Sequence, residues 1–317
     1  MLSKVYNLQL TLKIKNNIRQ TSTSFFKILK MKSTIKALYK SLPLKKEIFQ
    51  VLKIFNLPRS VYQHLHFTGP FKVKIDSNHY FKMMHYGYSI ENELFWSGLE
   101  GDFEAYSLKL WSKLCQKSNV IFDIGANTGT YSLIAKSINS SSMVYAFEPV
   151  KRAVDKLQKN IKLNNFDISV IAKAVSNTDG TAQIGDNIED EHQYGATLNK
   201  KFIVGNTYEV ETISLNSFIK QNNIQHIDLM KIDVEAFEPE VLEGFSDYLH
   251  KFKPTMLIEF VQHEPANRIN EMLAGSGYLY FNINEVKGPR RVDKITKSDH
   301  FNFLICLPEV AKAFKLI

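Results

Sequence analysis

The stretch Asn119–Leu133, NVIFDIGANTGTYSL, decides the fold. NVIFDI is a short apolar run, a glycine-bearing loop follows it, and a helical pattern begins at Thr130. Short apolar runs bounded by turn residues read as strands. Working outward, the pattern recurs. MVYAFEP (143–149) is a second strand, and the helix after it carries Val154, Leu157 and Ile161 at i, i+3 and i+7. ISVIAKAV (168–175), IDLMKIDV (227–234) and TMLIEFV (255–261) are the third, fourth and fifth strands. Strands alternating with helices imply a parallel sheet covered by helices on both faces. The tail adds strands at GYLYFNIN (277–284) and HFNFLICLP (300–308), separated by the basic loop Lys287–Lys297. Upstream, FKVKID and HYFKMM alternate around Ser77-Asn78 as a hairpin, and a helical pattern covers Glu104–Leu114.

Composition narrows the class. Hydrophobic residues are 44% and charged residues 23% of the 317, an ordinary globular balance that excludes a disordered, collagen-like or coiled-coil chain. Lysines and asparagines interrupt every candidate for a spanning helix of ~18 apolar residues. MLSKVYNLQLTLKIKNN has neither the apolar core nor the cleavage site of a signal peptide. Two cysteines, Cys115 and Cys306, make no disulfide framework, so a reducing cytoplasm is expected. Met31 is an alternative start to Met1.

Charge is unevenly placed. Residues 1–60 hold thirteen lysines and arginines against the single acid Glu47, so the whole-chain excess of +8 belongs to this arm and the body is mildly acidic. An acidic body speaks against nucleic acid as a partner. In KALYKSLPLKKEIFQVLKIFNLP, Ile48, Leu52 and Phe55 fall at i, i+4 and i+7 with lysines between them. Such a helix packs its stripe on the body or lies peripherally on an anionic membrane, here the inner face. Three segments result: a basic helical arm (1–69), a hairpin and helix leading into the core (70–118), and a cofactor-binding domain (119–317).

In an open α/β sheet the ligand lies outside the carboxyl ends of the strands. After strand one stands Asp123-Ile-Gly125-Ala126-Asn127-Thr-Gly129, where glycines let the backbone turn and approach a ligand closely. After strand two stands Glu148, 23 residues beyond Gly125 and placed to accept hydrogen bonds from ribose hydroxyls. Ala174, at the end of strand three, completes the expected cofactor set with Asp233. Asn127 occupies the position of the second glycine of a dinucleotide fingerprint, and no G-x-x-x-x-G-K-[ST] loop exists. The loop therefore asks for a nucleoside without phosphates. S-adenosyl-L-methionine fits, with Asp123 offering a carboxylate to its amine. Taken singly, Asp123 could instead bind nearby amides, and Glu148 could be a helix N-terminal charge.

NVIFDIGANTGTYSL, VYAFEP, HIDLMKIDVEAFEPEVLEG and KPTMLIEF together resemble the FkbM-type S-adenosylmethionine-dependent methyltransferases, over roughly residues 70–310. The resemblance implies a class I (Rossmann-like) seven-stranded sheet ending in an antiparallel hairpin. It also implies methylation of a hydroxyl on a small molecule or sugar. Ala236 stands where the family usually has glycine, and Asn216 where it usually has aspartate.

Methyl transfer to an alcohol needs a base. The candidates lie at the ends of strands four and five: Asp233 first, then Glu259 and His263, with Glu235 and Glu238 beside them. Asp233, Glu259 and His263 could also hold a divalent cation, but no metal is assigned. The N/D-P-P-Y/F signature of amino methylation is missing, as is a cysteine at a loop end for pyrimidine carbon methylation, so nucleic acid is not expected. The interval 181–206, with its acidic run Asp186–Glu191 and His192, is expected to form the acceptor pocket with residues 70–104. There Tyr86, Tyr88, Phe95 and Trp96 are either a sugar platform or core.

The resulting expectation is an O-methyltransferase acting on a sugar of a glycan or its lipid-linked precursor. The alternatives are a secondary-metabolite methyltransferase, a cofactor-binding scaffold without turnover, and a nicotinamide dehydrogenase.

Overall fold

The computed structural model describes residues 43–101, 104–186, 196–203, 206–260 and 263–317. The chain divides into two compact units, Met1–Asn56 and Leu57–Ile317. In the first, the described residues form the helix Lys45–Leu52 (α1) and a 3₁₀ turn, Lys53–Phe55. Of the expected apolar stripe, Ile48 is 38% and Phe55 69% exposed, whereas Phe49 is buried. The arm up to residue 42 lies outside the described residues.

The second unit starts before the boundary expected at residue 69. Its first helix, Arg59–Tyr62 (α2), is tied to the body: Arg59 Nε and the Tyr62 hydroxyl donate to the two carboxylate oxygens of Glu93, at 2.7 and 2.8 Å. The hairpin β1 (Gly69–Lys74) and β2 (Tyr80–His85) pairs antiparallel. Asp76 Oδ1 closes its turn by accepting from the backbone N–H groups of Asn78 and His79. Helices α3 (Ser89–Ser97) and α4 (Ala105–Cys115) lead into the core.

The central sheet has strands β3 (Val120–Ile124), β4 (Met143–Phe147), β5 (Ser169–Ile171), β10 (Leu229–Ile232), β11 (Thr255–Glu259), β12 (Leu279–Asn284), β13 (Gly288–Val292) and β14 (Asn302–Cys306). Their order is β13-β12-β14-β11-β10-β3-β4-β5. From β5 to β11 every pairing is parallel, and β14 lies antiparallel between β11 and β12. The sheet therefore has eight strands where seven were expected. The first half of the basic loop Lys287–Lys297 contributes β13, which zips onto the free edge of β12.

Both faces of the sheet are covered, which is why its strands read as continuous apolar runs. One face carries Phe122, Ile124, Met230, Ile232, Met256 and Ile258. They pack against α7 (Leu215–Gln221), α8 (Glu238–Glu243), α9 (Ser246–Phe252) and α10 (His263–Met272). The other face presents Ile121, Asp123, Leu229, Lys231 and Leu257, all buried, on the side of α4 and α5 (Thr130–Ile138).

ISVIAKAV does not form one strand. After β5 the chain leaves the central sheet, and Ala174–Val175 (β6) joins a second sheet, β6-β9-β7-β8. Its other strands are β7 (Gly180–Asp186), β8 (Ala196–Thr197) and β9 (Asn206–Ile213). Much of the interval expected as loop is thus sheet. Of the acidic run Asp186–Glu191, residues 187–191 lie outside the described part, as does His192.

Candidate active site

The chain runs β3-β4-β5 to one side and β10-β11 to the other, so the order reverses between β3 and β10. At such a switch point the loops from the strand ends diverge and leave a crevice. A cavity of ≈ 280 Å³ opens there, lined by the loops after β3, β4 and β10, by the end of β11 and by segments of the hairpin region and the second sheet.

Its floor is the Gly125–Gly129 loop. The N–H groups of Gly125 and Ala126 both donate to the Phe147 carbonyl at 3.0 Å, which curls the loop over the end of β4. Gly125 has φ +82°, and a Cβ there would sit 1.8 Å from the Asp233 carbonyl oxygen. Glu148 accepts from the Asn127 N–H and the Val150 N–H, both at 2.9 Å. It thus secures the loop and the start of α6 (Lys151–Asn164) while also lining the cavity.

Gly125, Ala126, Asn127, Glu148, Ala174 and Asp233 all line this one cavity. Gly129 and Asp123 do not. Gly129 supports the floor from below, its missing Cβ leaving room for Leu157, whose Cδ1 would otherwise be 2.4 Å away. Asp123 corrects the sequence reading: its Oδ2 accepts from the Ser132 N–H at 2.9 Å and the Ser132 hydroxyl at 2.6 Å, tying β3 to α5. Burial pushes its carboxyl up to about 6. The reason is the alternation of strand side chains, which turns Asp123 under the sheet. Polar capacity at the cavity comes instead from Asn127 Oδ1 and Thr130 Oγ1, both buried atoms without a hydrogen-bond partner among the described residues.

The far end of the cavity is acidic, with Glu104, Asp233, Glu235 and Glu259. Asp233 is 33% exposed, and its Oδ2 lies 3.5 Å from Lys231 Nζ. The charge of Asp233, and then burial, push Glu259 up to about 10. Burial followed by the charge of Asp233 raises Glu235 to about 7. Glu104 is fixed by the Tyr131 hydroxyl at 2.8 Å and by Asn302 Nδ2 at 2.9 Å, and burial raises its carboxyl too.

The Glu235-Ala236 turn is left-handed, with φ +54° and +71°. Thr197 Oγ1 donates to the Glu235 carbonyl at 2.6 Å and Asn199 Nδ2 to that of Ala236 at 2.8 Å. Glu238 accepts from the Ala236 N–H at 3.1 Å, and burial pushes it up to about 8. His263 begins α10, and its side chain lies outside the described part. Asn216 bridges to α9, donating to Ser246 Oγ and accepting from the Asp247 N–H, far from the cavity.

Both segments named for the acceptor pocket reach the cavity, through Tyr88, Ser89 and Ile90 and through Ile184, Ala196 and Leu198. Of the four aromatics only Tyr88 lines it; Phe95 and Trp96 are core, stacking edge-on with each other and, for Phe95, with Phe67 and Phe71. Sequence reasoning missed Glu104, Tyr131 and Lys231. For Lys231 a signal existed: a lysine inside the apolar run LMKI needs a buried partner.

Residues 123–280 match the model of the Methyltransferase FkbM domain, so this part of the chain is an FkbM-type methyltransferase domain. S-adenosyl-L-methionine, the cofactor read from the loops, goes with that family. The chain is 23% identical over 142 residues to the hexuronic acid methyltransferase AglP of Haloferax volcanii, covering 45% of this chain and 56% of that one. It is 27% identical over 188 residues to the release factor glutamine methyltransferase of Flavobacterium psychrophilum, covering 59% and 52%. The chain thus spans little more than half the length of these relatives. The crystal structure of Methyltransferase FkbM from Methylobacillus flagellatus KT superposes with a TM-score of 0.39 at 15% identity, covering 59% of this chain and 43% of that one.

Proposed function

We propose that the chain is an S-adenosyl-L-methionine-dependent O-methyltransferase acting on a hydroxyl of a sugar, in a glycan or its precursor. The observation that carries this reading is that Asp233 and Glu259, at the ends of neighbouring parallel strands, line the same cavity as the Gly125 loop and Glu148.

When bound, the cofactor supplies an electrophilic methyl group on a sulfonium. The chain's own residues do the rest. Gly125 and Ala174 would leave room for it, Glu148 would accept from its ribose hydroxyls, and Asn127 Oδ1 and Thr130 Oγ1 would hold its amino-acid end. Glu259 holds its proton at neutral pH, so it donates a hydrogen bond and orients the acceptor. Asp233, ion-paired with Lys231, takes the proton of the acceptor hydroxyl. A positioned base of this kind contributes about 10²–10⁴-fold.

A lining rich in carboxyl groups suits a hydroxyl-rich acceptor, and the similarity to a protein named for hexuronic acid supports a sugar. The lysine-rich arm with its exposed Ile48 and Phe55 serves peripheral contact with an anionic membrane on the cytoplasmic side, where a lipid-linked acceptor would be met. No helix among the described residues is long and apolar enough to cross a membrane.

Calorimetric titration with S-adenosylhomocysteine, with NADH as control, tests the cofactor half of this reading. Micromolar binding of the first alone supports it, and preference for NADH sinks it. Transfer of labelled methyl to neutral and acidic glycans tests the other half. Asp233→Asn is expected to lower transfer at least about 100-fold, and an unchanged rate would remove Asp233 as the base.

A further inference from the structure

Lys231 is a lysine in the middle of the central sheet, 1% exposed, and its Nζ makes no hydrogen bond among the described residues. It pairs in register with Asp123 on β3 and Leu257 on β11. Carboxyl groups face it from four elements: Asp233 from just past its own strand at 3.5 Å, Asp123 from β3, Glu259 from β11 and Glu104 from the start of α4. The Tyr131 ring from α5 lies 5.1 Å from the ammonium. Burial pulls Lys231 toward its neutral form, yet the four carboxyl groups together hold it above its usual range.

Glu104 closes the arrangement from a part of the chain with no link to the sheet motifs. It is held in place on both oxygens, by Tyr131 and Asn302. Asn302 Nδ2 also lies 3.4 Å from Glu285, which accepts from the N–H groups of Tyr106 and Ser107. Glu104, Asp233 and Glu259 thus converge on one end of the cavity, above one ammonium that does not itself line it. Several carboxyl groups this close titrate as a set, and a fixed positive charge decides how many stay ionised.

We propose that Lys231 is a positioning residue, the built-in counter-charge that keeps the Glu104–Asp233–Glu259 trio partly ionised, and that Glu104 is a third acceptor-facing carboxyl group of the site. Lys231 thereby supplies, from within the sheet, the positive charge that lets a carboxylate act as base beside two other acids. The functional part of this inference rests on the methyltransferase reading; the charge arrangement does not.

The test therefore begins without ligand. Melting temperature is followed between about pH 6 and pH 9 for the native chain, Lys231→Met and the double variant Lys231→Met/Glu104→Gln. With the ammonium gone, the acids are protonated more tightly in the folded state, so stability present at low pH is lost as pH rises. Lys231→Met is expected to lose several degrees more than the native chain across this range, and Glu104→Gln to restore at least about half of that loss. A melting temperature lowered equally at all pH values, or no rescue by Glu104→Gln, would overturn the proposal and reduce Lys231 to packing. Should Lys231→Met not fold, Glu104→Gln alone decides. Removing this carboxylate is expected to weaken S-adenosylmethionine, a sulfonium cation, about threefold or more relative to neutral S-adenosylhomocysteine; an unchanged ratio would overturn it. Failure of the native chain to bind either ligand counts against the methyltransferase reading, while the melting series still decides the charge arrangement.

Discussion

A Cβ placed on Gly125 would lie 1.8 Å from the carbonyl oxygen of Asp233. The loop after β3 and the end of β10 therefore touch backbone to backbone, and this contact brings the cofactor loop against the proposed base. Backbone cannot move aside as a side-chain tip can. Gly125→Ala is expected to cost about 3 kcal/mol or more, from the clash and from its φ of +82°. Chemical denaturation measures it; a loss under about 1 kcal/mol would show that the loop relaxes freely.

Glu148 serves the loop and the ligand together. Glu148→Ala removes acceptors for the Asn127 and Val150 N–H groups and for the ribose hydroxyls. S-adenosylhomocysteine affinity is expected to fall about tenfold or more, or 1.4 kcal/mol, by calorimetry. Unchanged affinity would leave Glu148 a purely structural carboxylate.

Ala236 occupies a conformation that favours glycine, with φ +71°. Ala236→Gly relieves about 1–2 kcal/mol of left-handed strain and gives back about 0.4–1 kcal/mol through a freer unfolded chain. A net gain of about 0.5–1 kcal/mol is expected in thermal unfolding. A loss would mean that the Ala236 methyl, itself buried, contributes packing worth more than the strain.

Glu238 is 1% exposed and pushed up by burial to about 8. A carboxyl group raised in the folded state contributes stability that is complete below its unfolded value and lost as pH rises through the folded one. Its window therefore runs from about pH 4.5 to about pH 8. Glu238→Gln keeps an oxygen for the Ala236 N–H but cannot ionise. It is expected to be on the order of 1–2 kcal/mol more stable than the native chain at alkaline pH, with little gain near pH 4.5. Parallel melting curves at acid and alkaline pH would contradict this.

Much of the architecture was legible because the parallel strands are buried on both faces. VIFDI, MVYAF, LMKI and TMLIE stand out as apolar runs for that reason, and the loops after them can be read in order. Gly125 and Glu148 were reachable because a residue just past a strand end faces the crevice whatever the details of packing, and Asn127 follows in the same loop; Ala174 lines the cavity from β6 of the second sheet and not from the strand end expected for it. Asp123 was not: it lies one step inside the strand, where alternation turns it away. The second sheet was hidden because GTAQIGD and NTYEVETI are half-exposed antiparallel strands rich in polar residues. Phe95 and Trp96 look alike in sequence whether they line a pocket or fill a core.

Local sequence determined what depends on chain neighbours: strand periodicity, the glycines of the turn, and the acid after the second strand. Only the tertiary structure decided what depends on groups far apart in sequence. Glu104 reaches Asp233 and Glu259 across more than a hundred residues, and Lys231 meets four carboxyl groups from four elements. Electrostatic energy falls with distance in space and rises with burial. Neither quantity is written along the chain, so the charge of the site exists only once the sheet has closed around it.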